Sequence, residues 1–110
     1  MNLSPSQQAV LGAITKNPIR YLPKGAVIDS KDEFLKEMLC IIGSLWEWSR
    51  TIDLEANTSD YRRRIWEINQ MPGYKIIAFH APWPSRTDAY KGKSITRHGY
   101  ILLSPSGSRR

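Results

Sequence analysis

Apolar residues recur at helical spacing in four stretches of this chain, and β-branched, aromatic and aliphatic residues gather in three short runs besides. Ser4 or Ser6 can cap a first helix running to about Lys16, with Val10, Leu11 and Ile14 on one face and Asn17-Pro18 as its stop. Pro23 and Gly25 mark residues 19 to 28 as a crossing loop in which Ala26-Val27-Ile28 can be extended. Asp29 or Ser30 then caps a second helix, Lys31 to Ile42. Its Phe34, Leu35, Met38, Leu39 and Ile42 keep helical spacing until Gly43 ends it. Leu45-Trp46-Glu47-Trp48 alternates as a short strand, and Arg50 to Ala56 reads as a brief third helix with Asn57-Thr58 in the turn after it.

The fourth helix is the most informative. Thr58 or Ser59 can accept a hydrogen bond from its first turn, and Asp60 suits the positive end of its dipole, so the helix is expected from near Ser59 to about Met71. Tyr61, Ile65 and Ile68 form a narrow apolar stripe, which leaves Arg62, Arg63, Asn69 and in part Ser59 and Trp66 on the other side. Pro72 and Gly73 end the helix. Residues 74–80 and 98–103 read as paired strands, and the long loop from Ala81 to Thr96 joins them.

Charge is divided unevenly along the chain. Residues from 59 onward hold ten Lys and Arg against three acids, whereas residues 1–58 hold six against seven, so the whole net charge of +6 resides in the second part. A basic face of this kind attracts a polyanion and releases counterions on docking against phosphates. An anionic membrane fits less well, because the positive charge is not carried on a long amphipathic helix. The 110 residues, 41% of them hydrophobic, suffice for one modest domain. A single cysteine, Cys40, excludes an intramolecular disulfide and a cysteine-cluster zinc site. With no signal peptide and no apolar run long enough to span a bilayer, a cytoplasmic protein is expected, without membrane association.

Arg64-Ile65-Trp66-Glu67-Ile68, then Gly73-Tyr74-Lys75-Ile76, then Tyr100-Ile101-Leu102 follow in an order that resembles the small helix-turn-helix domains common in bacteriophages and mobile elements. The resemblance covers roughly half the chain, with no motif in residues 1–50. It departs from the pattern at Asn69, at the added Pro72 and in the length of the loop. The implied fold is α+β and mostly helical: a winged helix-turn-helix with an added N-terminal helix and a two- to three-stranded antiparallel wing sheet. Residues 1–50 would be an N-terminal helical part, 51–103 the helix-turn-helix and wing, and 104–110 a flexible basic tail of one domain. Either upstream helix can be the opening helix of the winged unit.

The implied function is binding of double-stranded DNA, in transcription regulation or as an accessory factor in replication or excision. The helix at 59–71 would read the major groove, with Arg62 or Arg63 on a base edge and Thr58 and Ser59 near a phosphate. Arg64 is expected to pair with Glu67 or reach the backbone, and Asn69 joins the contact surface. In the wing at 81–97, Arg86, Lys91, Lys93 and Arg97 would lie along the sugar-phosphate backbone.

Each feature also has a plainer reading. A triple arginine alone is usually a solvated helix face. Trp46, Trp48 and Trp66 are expected in core or interface packing, and Trp83 on a loop. His80 and His98 can face each other across the strands, where two histidines without a third ligand favour a structural or phosphate-contacting role over a metal site. Cys40 reads as a small core residue. No nucleophile–base couple, paired carboxylates or phosphate-binding glycine loop is visible, so no enzyme, cofactor or metal is expected. The alternative function is a non-enzymatic module that binds and modulates a host or phage protein, with Trp46, Trp48, Trp83 and the long loop as anchors. A homodimer is compatible with either function.

Overall fold

Ser4 and Gln7 close a reciprocal cap on the first helix. The Gln7 N–H donates to the Ser4 hydroxyl at 3.3 Å and the Ser4 N–H to the Gln7 side chain at 2.9 Å. The computed structural model describes residues 3–41, 43–84 and 94–103. From α1 (Pro5–Ala13) the chain runs through β1 (Asn17–Pro18), a 3-10 turn at Ile19–Tyr21, β2 (Val27–Ile28), α2 (Glu33–Ile41) and β3 (Leu45–Trp48). It continues through α3 (Ser49–Ala56), α4 (Tyr61–Asn69), β4 (Lys75–Pro84) and β5 (Ser94–Leu103). The fold is α+β, with four α-helices and one five-stranded antiparallel sheet among the described residues.

The strand order is β1-β3-β5-β4-β2. Alternation along the central strands divides their side chains between two faces. Ile76 and Leu102 point to one face, where Val10, Ala13 and Ile14 of the α1 region, Ile52 and Ala56 of α3, and Ile65 and Ile68 of α4 complete a buried cluster. Ile77, Phe79, Ala81, Ile101 and Leu103 point to the other face and meet Ile19 and Trp46, with Leu35 of α2 packed against them. Thus α1, α3 and α4 cover one side of the sheet, and α2 lies over the opposite side.

The second face is organised by aromatic rings. Trp46 meets Trp48 and Phe79 edge-on, with ring centroids 5.3 and 5.7 Å away, and its indole N–H donates to the Pro18 carbonyl at 3.1 Å. Gly99, opposite Phe79 and Trp48 in the ladder, makes this possible. A Cβ there would stand 2.5 Å from the Phe79 ring and 2.7 Å from the Glu47 carbonyl.

Helices α3 and α4 are joined by the four residues Asn57–Asp60, whose two ends adopt the left-handed conformation, φ 48° at Asn57 and φ 53° at Asp60. Asparagine and aspartate tolerate that conformation better than other side-chain-bearing residues. The cap of α4 is therefore Asp60, whose carboxylate accepts from the Arg63 N–H, in place of Thr58 or Ser59, and the helix closes at Asn69. At its far end the Asn69 side chain grips Ile76, accepting from its N–H at 2.7 Å and donating to its carbonyl at 3.1 Å. That double bond fixes α4 against β4.

Two expectations are corrected. The sheet has five strands, where two or three were expected, and helix does not dominate. The two-residue strands β1 and β2 are too short to leave a period in the sequence. The expected wing loop also begins later, because β4 and β5 remain paired through Pro82↔Thr96 and Pro84↔Ser94. Prolines two apart direct their missing N–H groups to the same strand edge, where a ladder can do without them. Trp83 accordingly belongs to β4, while Cys40 lies in α2. The expected basic tail, 104–110, lies outside the described residues. No helix among them is long and apolar enough to cross a membrane.

Replacing Gly99 by alanine forces the Phe79 ring or β3 to move. We expect Gly99→Ala to lower the unfolding free energy by about 1–3 kcal/mol, read from urea denaturation. An unchanged midpoint would contradict the packing described.

Candidate nucleic-acid interface

The outer face of α4 follows from which of its residues are used inside. Ile65 and Ile68 are buried, and Tyr61 packs edge-on against Tyr100 of β5 with ring centroids 6.3 Å apart. Arg62, Arg63 and Trp66 are left exposed, Trp66 at 61%. Together with Asp60 they border a shallow groove of about 370 Å³. Trp66 is therefore not a packing residue within the chain.

The three consecutive arginines have different surroundings. Glu67 binds Arg63 through Nε at 3.4 Å and Arg64 through Nη2 at 3.3 Å, and it accepts from the Gln7 amide at 3.0 Å. This hydrogen bond from Gln7, followed by the charge of Arg64, holds the Glu67 carboxyl below its ordinary pKa. Arg64 is turned to the packed side, its Nε buried without a partner, so of its two expected roles the pairing with Glu67 is the one observed. Among the described residues no carboxylate pairs with Arg62; its guanidinium lies over the Tyr61 ring, 5.6 Å from the centroid.

Arg62 also reaches a cleft of about 390 Å³ in the corner between the helices and the long hairpin. Arg50 enters from the first turn of α3 and His98 from β5, while Arg97 borders the cleft from the strand with its side chain on the opposite, aromatic face. Ser49, Ala78, Gly99 and Tyr100 complete the walls, and among the described residues no acid lines the cleft. Arg97 is held with its guanidinium 4.5 Å from the Trp48 ring centroid. Burial raises the pKa of the Tyr100 phenol, which keeps it a neutral O–H donor. His98 faces His80 across the ladder, ring centroids 6.2 Å apart, and His80 Nδ1 lies 2.9 Å from Asp29. Among the described residues no three His, Cys, Asp or Glu side chains are arranged to hold a metal.

The expected contact residues thus separate into groups. Arg62 and Arg63 are outward on α4, with Thr58 and Ser59 beside them in the turn. Arg97 lies on a paired strand and not on a loop, and its guanidinium rests on Trp48 on the face opposite His98. Asn69 departs from the expectation: its amide is occupied by both backbone groups of Ile76, so it is a structural clamp. Arg86, Lys91 and Lys93 lie outside the described residues. His98, expected in a structural or phosphate-contacting role, lines the cleft, whereas Arg50 and Tyr100 were missed as site residues, because no local pattern links residue 50 to residue 100. Strand alternation alone puts His98 and Tyr100 on one face.

Comparison with protein-family models, curated proteins and solved structures finds no match to this chain.

Two outcomes follow from these contacts. Asn69→Ala leaves the Ile76 groups without their partner and is expected to cost about 1–3 kcal/mol of stability in chemical denaturation, whereas a DNA-contacting side chain would give a stable variant. Because the Glu67 pKa is lowered on folding, its contribution is complete above the ordinary value of 4.5 and is lost as pH falls through the lower folded value. The stability difference between wild type and Glu67→Gln should therefore be constant near neutral pH and shrink below pH 4.5. A difference that grows on acidification would contradict the sign.

Proposed function

We propose that the protein binds double-stranded DNA as a winged helix-turn-helix of phage or mobile-element type, without catalysis. In this reading α3, the Asn57–Asp60 turn and α4 are the helix-turn-helix, and α4 enters the major groove. The β4–β5 hairpin is the wing, α1 is the opening helix because it packs on α3 and α4, and the segment through α2 is an addition. The chain order β3-α3-α4-β4-β5 with strand order β3-β5-β4 supports the assignment.

One observation carries the reading. Arg50, Arg62 and His98, from three separate elements, converge on the corner where the outer face of α4 meets the hairpin, with no acid among the described residues beside them. A cationic concave corner flanked by a helix with exposed arginines suits a groove edge bordered by phosphates. The role would be transcription regulation or an accessory step in replication or excision. The exposed Trp66 on the same face favours one other reading, an α4 that docks on a host or phage protein.

Fluorescence anisotropy against random duplexes tests this. Affinity should fall steeply with salt, and the Arg62→Ala/Arg63→Ala double variant should bind at least about tenfold more weakly, as loss of one good base contact implies. Undiminished binding by the variant would refute the assignment of α4. No duplex binding at low salt, with a nuclease-resistant protein complex from host lysate, would favour the protein-docking reading.

A further inference from the structure

The arginines of this molecule are held in two ways. Arg63 and Arg64 both rest on Glu67, so their charge is locally offset. Arg62 is held by the Tyr61 ring and by hydrogen bonds to the Tyr61 and Tyr100 hydroxyls, so among the described residues no carboxylate offsets its charge. Among the described residues no carboxylate pairs with Arg50 either, and both arginines line the same cleft as His98 and the neutral Tyr100 phenol. Like charges gathered without an acid repel one another, and an anion seated among them relieves that repulsion.

We propose that this cleft is a phosphoryl-oxyanion site in which Arg50, Arg62, His98 and the Tyr100 hydroxyl hold one phosphate group. Its volume of about 390 Å³ lies at the lower end of small-molecule sites, which span about 300–1,000 Å³. The cleft therefore admits a phosphate together with its adjoining sugar. Arg62 becomes an anchor on the phosphate, and Arg63, on the outer groove, is left to face base edges. The phosphate has two possible sources, a duplex backbone or a free phosphate ester. Only the first of these rests on the DNA-binding reading.

The intact protein is titrated with inorganic phosphate and with pyrophosphate against chloride at constant ionic strength, following arginine Nε–H and His98 ring signals by NMR. Saturable shifts confined to Arg50, Arg62 and His98 are expected, weakened at least about tenfold in Arg50→Ala. Arg50 is exposed, so this variant keeps the fold. If a duplex displaces the pyrophosphate, and Arg50→Ala flattens the dependence of log affinity on log salt by about one unit, the source is a DNA backbone. If pyrophosphate binds and no duplex displaces it, the site stands with a free phosphate ester as ligand while the DNA reading fails. Unsaturable shifts spread over the surface lysines and arginines would overturn the site. Duplex binding whose salt dependence is unchanged in Arg50→Ala, in a protein that shows no saturable pyrophosphate shifts, would overturn it as well, leaving the DNA reading intact.

Discussion

The central position of β5 governs this molecule. It pairs with β3 from Leu45↔Leu102 to Trp48↔Gly99 and with β4 along its whole length, so it joins segments that are far apart in the chain. Its alternation sends Leu102 into the cluster of α1, α3 and α4, and Ile101 and Leu103 into the aromatic face. Because α3 begins at Ser49, directly after β3, the β3–β5 ladder also fixes where Arg50 stands. Gly99 is the tight point of that ladder, where the Phe79 ring and the β3 backbone close over the space a side chain would need.

From this frame the candidate site follows by short connections. Asn69 ties α4 to β4 through Ile76, and Gln7 ties α1 to α4 through Glu67. Lys16 pairs with Glu55, linking the end of the α1 segment to α3. Exposed ion pairs of this last kind contribute little energy. The buried isoleucines of α3 and α4 and the bonds of Asn69 define the orientation of α4 more firmly. With Ile65 and Ile68 inward, Arg62 and Arg63 face out, and the corner beside the hairpin becomes cationic.

Much of the frame could be read in the sequence because it rests on local rules. Ser4 marks the first helix, the stripe Tyr61-Ile65-Ile68 marks the fourth, and alternation marks Leu45–Trp48. What escaped was set by tertiary pairing. Asn17-Pro18, read as a helix stop, becomes a strand only because β3 offers an edge, and the extended Val27-Ile28 gains its partner only from β4. Pro82 and Pro84 read as loop residues, yet they sit in a ladder that does without their N–H groups. Asn69 looked like a surface contact since nothing in sequence relates it to Ile76. Arg50 lies twelve residues before Arg62 and in a different helix, so its convergence on the cleft is a property of the fold.

The central claim is that duplex DNA docks on the corner formed by α3, α4 and β5. Mapping backbone amide shifts on titration with a random duplex tests it most directly. The account predicts changes gathered at residues 49–50, 59–66 and 97–100, with α2 and its exposed Phe34 unaffected. Changes centred on α2 and the opposite face of the sheet, with α4 silent, would contradict it.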